Sequence, residues 1–400
     1  MTHRSFMPLA LAAGAIFGLA LGIRTAQPLF ISAINSATGV GYATISLAFG
    51  VAQLMWGIGQ PVAGAVSDRW GPRPVMLAGS LCLALGTALM PFASSAWSLI
   101  VVIGIIAASG ASTSGPAQLA SAVARWIPEA KRSVANGIIG AGGSLGQFVL
   151  VPLAQLFIGL AGWQPALVIV GAIGLAAIPL VLFITPSEPL HATAHLNAGT
   201  LRQALAGALR DPSYLLLTAG FFTCGFHIAF IATHLPGIVA FCQLPASVSA
   251  WSLSIIGLFN MFGSLWIGKY IQMRRMKMAL AGVYFARAII ILVFVFSPKL
   301  PIVFFLFAAA IGFTYLSTVP PTIGLVAKLH GARYMATLFG VVMLSHQVGG
   351  FLGAWLGGKA FEATGGYDWM WWADIALCLG AAAVHLPIRE ARPVPVAAPA

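Results

Sequence analysis

Long apolar runs separated by short polar stretches dominate this chain. An α-helix needs about 20 apolar residues to cross the hydrocarbon core of a bilayer. On that measure the pattern predicts twelve membrane-spanning helices, at 8–33, 43–66, 74–93, 97–120, 134–158, 164–184, 213–237, 248–271, 277–297, 301–325, 335–358 and 369–388. Most connections are very short, so neighbouring spans are expected to run antiparallel. The exception is 185–212, a polar segment containing Pro186, Pro189, His191 and His195. It divides the chain into an N-terminal six-helix half, 1–184, and a C-terminal six-helix half, 213–388. Residues 389–400 read as a disordered tail. The fold class expected is therefore an all-α membrane protein of two six-helix halves. Arg4 ahead of an apolar run has the look of a signal peptide, but eleven further apolar stretches favour a retained first span.

Composition supports the same class. The chain is 60% hydrophobic and only 7% charged, whereas soluble domains carry about 25% charged residues. The net charge of +12 has a topological reading. Sixteen of the 20 Lys and Arg fall at span ends or loops on one side, while Lys299 and Lys359 fall on the other. The positive-inside rule then places both termini and the central loop in the cytoplasm. Anionic lipid headgroups are the expected partner of this charge, and nucleic acid is not. Cys82, Cys224, Cys242 and Cys378 have no metal-ligand spacing and read as structural thiols. No nucleophile-elbow, zinc, phosphate-loop or dinucleotide motif is present, which argues against an enzyme and against a cofactor.

Two arginines remain inside spans. Arg24 lies deep in the first span, which contains no Asp or Glu; the later spans offer only Asp374. Arginine keeps its charge in a protein, and a charge at that depth is costly. A cation without a protein counterion calls for a visiting anion, and guanidinium can grip a carboxylate through two parallel hydrogen bonds. Arg24 is thus the leading substrate-binding candidate. Arg287, in the ninth span, is read as equally open to a structural role, bonded to helix carbonyls, Asn260 or Tyr315. His227, His234 and His346 are the side chains that titrate near neutrality. They lie on spans read as lacking a carboxylate partner for them, and each serves either packing or proton transfer, His346 being the first candidate for the proton and His227 the second; His346 is also a substrate-binding candidate. Asn260, Tyr315, Gln347, Thr113, Ser114 and Gln118 are polar groups within spans, which orient a substrate or bond a neighbouring helix.

The second span ends Gly64-Ala65-Val66-Ser67-Asp68-Arg69-Trp70-Gly71-Pro72-Arg73. This resembles the loop signature G-x-x-x-D-[RK]-x-G-x-[RK] of the major facilitator superfamily, in the expected place between spans two and three. Gly64 would allow close helix approach and Gly71 a tight reversal; Asp68, Arg69 and Arg73 would form a cytoplasmic gate. The equivalent segment after span eight, Gly263 to Lys269 followed by Arg274 and Arg275, lacks the acid. Glycines recur at Gly14, Gly18 and Gly22, at Gly137, Gly140, Gly142, Gly143 and Gly146, and at Gly349, Gly350, Gly353 and Gly357. They mark either static packing or a sliding interface.

Ala135-Asn136-Gly137 with Pro152-Leu153-Ala154-Gln155, and Gly257 through Ser264, resemble the fifth and eighth spans of the monocarboxylate transporters. Arg24 aligns with that family's substrate-binding lysine. Asn260 and Ser264 stand where the animal family carries a charged pair, so proton coupling by that device does not carry over. The resemblance, nearest to bacterial relatives of the monocarboxylate and oxalate–formate transporters, implies a monomeric secondary transporter of a small organic anion. Proton symport by alternating access is implied with it. A drug or acidic-amphiphile exporter of the same fold is the alternative; a sensor or enzyme is more remote.

Overall fold

The computed structural model describes residues 6–124, 126–185, 201–331 and 334–390; the central Pro and His residues 186–200 and the tail 391–400 lie outside it. Eleven helical segments are long and apolar enough to cross a membrane. They are span 1 (Phe6–Thr38), span 2 (Tyr42–Ser67), span 3 (Pro72–Phe92), span 4 (Ala96–Ala124), span 5 (Val134–Ala161) and span 6 (Trp163–Ile184) in the first half. Span 7 (Pro212–Phe241), span 8 (Ala246–Met273), span 9 (Met276–Phe296), span 10 (Pro301–His330) and span 11 (Thr337–Thr364) follow in the second. Span 12 (Asp368–His385) is a continuous helix but less apolar, because Asp368, Asp374 and His385 fall within it. An amphipathic helix, Leu201–Ala208, precedes span 7.

Within each half, glycine sets how close the helices come. A side chain on Gly18 would fall 2.7 Å from the carbonyl oxygen of Gly142, and one on Gly146 would fall 2.0 Å from that of Gly18. Spans 1 and 5 therefore pack backbone to backbone, as small-residue faces allow. Gly349 and Gly353 do the same against Phe222 and Phe226 of span 7. These faces lie inside one half. Gly350 and Gly358 instead turn towards Gln53 and Ser46 of span 2, across the boundary between the halves.

The described contacts between the halves lie on the side away from the termini and at mid-depth. On the side away from the termini, the Ala43 N–H at the start of span 2 donates to Glu362 Oε1 of span 11 at 2.8 Å. The Tyr42 and Phe361 rings meet edge to face at 5.0 Å. Midway along, Gln147 donates to the Leu253 carbonyl at 2.8 Å and Ser254 to the Phe148 carbonyl at 2.6 Å, tying span 5 to span 8. On the terminal side, Gly64, Gly137, Gly140, Gly268 and Gly340 have no atom within 4 Å of where a side chain would begin. Gly64 thus makes no close helix contact, contrary to the sequence expectation: open space lies where its side chain would begin. The protein is closed on the far side and open on the terminal side.

Several spans are broken along their length, span 6 (between Gly174 and Ala177) among them. Span 1 tightens at Gln27–Phe30, where Pro28 has no N–H to donate. Span 4 passes through a π-helical stretch, Ile100–Ala107, and is interrupted between Ser112 and Pro116. Span 10 stops at Thr314 and restarts at Val319. Spans 4 and 10 hold corresponding places in the two halves. Paired interruptions of this kind free backbone groups where a site is built.

Candidate functional site

Arg24 stands one turn before the break in span 1 and is half-buried. Its Nη2 donates to Gln53 Oε1, and its guanidinium carbon lies 4.6 Å from the centre of the Trp56 ring. Gln53 and Trp56 are three residues apart, so both come from one face of span 2. Both partners are neutral. Among the described residues no carboxylate lies within ion-pair distance of Arg24. The positive charge is steered by an amide oxygen and an aromatic face, and stays uncompensated. From the other half, Tyr315 sits at the break in span 10, within electrostatic range of both Arg24 and Arg287. Its hydroxyl donates to the Ile228 carbonyl at 3.3 Å.

Gln347 lies opposite the same stretch of span 2, its side chain against Gly57. It is fully buried, yet neither its amide oxygen nor its amide nitrogen has a partner. His346 is buried beside Phe221, ring centres 5.1 Å apart, with Nδ1 unpartnered. Asn260 bridges elements: Nδ2 donates to Ser144 Oγ at 3.2 Å, and Oδ1 accepts the Leu316 N–H at 3.1 Å. It thereby satisfies a donor freed by the break in span 10. Thr113, Ser114 and Gln118 are not brought to Arg24 by any described contact. Thr113 bonds the Gly110 carbonyl and packs on Gly79 of span 3. Ser114 is buried, and Gln118 donates to Ser67 of span 2.

Arg287 is fully buried in the second half. Its Nη2 donates to the carbonyls of Thr314 and Tyr315, the latter at 2.7 Å, and it lies 5.3 Å from the Tyr284 ring. A cation at a helix C-terminus meets the negative end of the helix dipole, so Arg287 caps the first segment of span 10.

The histidines correct one sequence reading. His227 does have a carboxylate partner: its Nδ1 lies 2.7 Å from Asp374 Oδ2, and both residues are fully buried. Asp374 also accepts a weak bond from Cys378 Sγ at 3.7 Å. Span 7 packs against span 12, which brings together residues 147 apart in the chain. His234 instead bonds the Ala354 carbonyl at 2.6 Å. His227, Asp374 and Cys378 have ligand atoms within 4.8 Å of one another. The 2.7 Å separation is a hydrogen bond with a proton between its ends. Arg287, within electrostatic range of Cys378, opposes a metal cation there.

In the loop after span 2, Gly71 adopts φ +84°, a conformation that suits glycine, and its N–H closes on the Ser67 carbonyl at 2.8 Å. Arg69 lies over Trp70 at 5.1 Å. The Asp68 side chain is outside the described residues, and Arg73 has an interacting partner. In the second half the missing acid is supplied from elsewhere. Glu390, just after span 12, accepts the Met276 and Lys277 N–H groups at 3.0 and 2.9 Å and pairs with Lys328 at 2.9 Å. It caps span 9 as a carboxylate should. Its signal in the sequence was a lone acid beside Arg389 at the end of the last span.

The chain resembles known transporters along most of its length. It is 27% identical to monocarboxylate transporter 13 of Rattus norvegicus over 315 residues, covering 77% of this chain and 71% of that one. It is 23% identical over 366 residues to the uncharacterized MFS-type transporter YcxA of Bacillus subtilis, covering 88% of each. Its fold matches the crystal structure of a bacterial homolog of the human lysosomal transporter Spinster, in an inward-facing and unoccupied conformation. The TM-score is 0.72 at 16% identity, covering 96% of this chain and 94% of that one. The family model of the Major Facilitator Superfamily matches residues 12–354, from the first span through the glycine face of span 11. The chain is thus a transporter belonging to the Major Facilitator Superfamily.

Proposed function

We propose that this protein moves a small organic anion, a monocarboxylate, across the bacterial inner membrane by alternating access, together with a proton. The observation that carries this reading is Arg24: a guanidinium deep in the bundle with only Gln53 and Trp56 as described partners and no carboxylate within ion-pair distance. A substrate carboxylate supplies the missing charge and accepts the forked N–H pair. Trp56 offers an apolar wall to the substrate's carbon chain. Gln347, Asn260 and Tyr315 are proposed to orient it; Thr113, Ser114 and Gln118 stand as further polar groups on span 4. The relative's name, monocarboxylate transporter 13, supports the substrate class.

The basic side of the chain is assigned to the cytoplasm, which puts both termini there. The closed side is then external, and the site opens inward. The gate of the cycle is proposed to include Gly64, Asp68, Arg69, Gly71 and Arg73, which come together with the second half when the protein opens outward. An inside-negative potential opposes uptake of a bare anion by about 2.3 kcal/mol per charge per 100 mV. A co-transported proton removes that cost. His346, His227 and His234 are the candidate carriers.

The test is uptake of labelled lactate, pyruvate, acetate and oxalate into proteoliposomes, with and without an inward proton gradient. Gradient-driven uptake of one acid is expected in the wild type and not in Arg24→Ala. Uptake unaffected by that substitution would move Arg24 to a structural role. Absence of uptake of all four would favour larger acids or exported amphiphiles.

A further inference from the structure

The second half contains a buried ionisable cluster whose central pair has no assigned contact with the substrate. His227 and Asp374 form its centre, joined at 2.7 Å and wholly out of contact with solvent. Around them, span 7 contributes Cys224, whose Sγ lies 3.1 Å from Thr318 Oγ1 of span 10. Span 9 contributes Arg287 and Tyr284, and span 12 contributes Cys378 and His385, whose ring stacks on Tyr284 at 5.1 Å. His346 of span 11 interacts with Cys224, and Tyr315 of span 10 with Arg287. Cys378 bonds Asp374 at 3.7 Å and also lies within electrostatic range of Arg287.

This cluster has two properties that packing does not require. It is balanced but incomplete: Arg287 is positive, Asp374 is negative, and a neutral His227 leaves the total at zero. A further proton would bring the total to plus one. Yet His227 Nε2 and Arg287 Nε and Nη1 are buried without hydrogen-bond partners. Buried polar atoms are normally satisfied, so unpaired ones at a charged centre call for an explanation, and of these three His227 Nε2 is the one able to take up a proton. The second property is its connection. Arg287 holds the carbonyls of Thr314 and Tyr315 at the break in span 10, and Tyr315 is within range of Arg24. Cys378, which bonds Asp374 and interacts with Arg287, is the contact through which the effect of a proton at the pair would reach Arg287. The effect is delivered to the hinge of span 10 that faces the anion site.

We propose that the His227–Asp374 pair is the proton-binding site of the transport cycle, and that Arg287 and the span 10 break couple it to the anion held by Arg24. One proton enters the pair from the open side when the anion binds, and one leaves with it on the other side. The anion's single negative charge and the proton then cross together with no net charge moved. This rests on the reading of the protein as an organic-anion transporter.

The experiment separates coupling from binding. In proteoliposomes, an inward gradient of one pH unit drives about tenfold accumulation in a one-proton symporter. Counterflow exchange of labelled for unlabelled acid at equal pH needs no net proton movement. Asp374→Asn is expected to lose the accumulation, down to about onefold, and the pH dependence of its apparent affinity, while counterflow persists. His227→Gln, which retains a donor towards Asp374, is expected to show the same split and covers failure of the first variant to fold. Asp374→Glu restores accumulation in part. Accumulation at the wild-type level in Asp374→Asn and His227→Gln would overturn the proposal while leaving the substrate reading intact. Loss of both activities in folded protein would also overturn it, marking the pair as structural. If the wild type exchanges no organic anion, the substrate reading fails, and the proton site falls with it.

Discussion

Two arginines lie within the spans of this protein, and their surroundings differ in kind. Arg24, in the first half, is half-buried, touches an amide and an indole, and has no described carboxylate partner. Arg287, in the second, is sealed from solvent, bonded to two backbone carbonyls at a helix break, and within electrostatic range of Cys378, the thiol that bonds Asp374. The first cation is short of an anion; the second is part of the framework and of a charge-balanced cluster. Depth in the membrane alone does not make a charged side chain a ligand-binding group. What it lacks among its neighbours does.

Substitution should separate the two roles. Replacing Arg287 with Met strands the Thr314 and Tyr315 carbonyls, each bonded to a charged donor. Such bonds contribute about 1.5–3 kcal/mol each, so a loss of about 3 kcal/mol or more is expected. Thermal unfolding in detergent reads this as a large fall in midpoint, and a midpoint near wild type would erase the contrast. Arg24→Ala is expected to leave that midpoint nearly unchanged and to lower uptake about a hundredfold, the effect of losing one charge-assisted pair. Arg24→Lys keeps the charge without the fork and should fall between, with about tenfold loss. Asn260→Ala leaves the Leu316 N–H without its acceptor and is expected to cost about 1–3 kcal/mol in the same unfolding assay. The smallest effect is at the far side. Glu362→Gln weakens the carboxylate cap on the Ala43 N–H and should shift the balance towards far-side opening by about 0.5–1 kcal/mol, measured as spin-label distances across that side.

The spans were legible because the bilayer imposes one demand on every crossing segment, and even span 12 stood out despite Asp374. Arg24 was legible for a related reason: an acid-free span makes a lone cation conspicuous. The neighbours that give these charges meaning were not. Gln53 and Trp56 are unremarkable in sequence, and which face of span 2 meets Arg24 depends on helix packing. The His227–Asp374 pair joins residues 147 positions apart, which no local periodicity reports. The available clue was that an acid within a span needs a partner, and histidines were among the few candidates. Glu390 escaped for the same reason, since it caps span 9 from the far end of its half. Gly64 belongs to the loop motif, but its contact depends on which side of the transporter is closed.

Direct binding is the sharpest test of Arg24, because it bypasses gradients, gating and orientation. A ligand that binds the folded state raises its stability in proportion to the logarithm of concentration over Kd. Purified protein in detergent would be titrated with lactate, pyruvate, acetate and oxalate while thermal unfolding is followed, wild type beside Arg24→Ala. A saturable rise in midpoint with one acid is expected in the wild type and absent in the variant. An equal rise in both would mean that the anion is held elsewhere and that Arg24 is not its ligand.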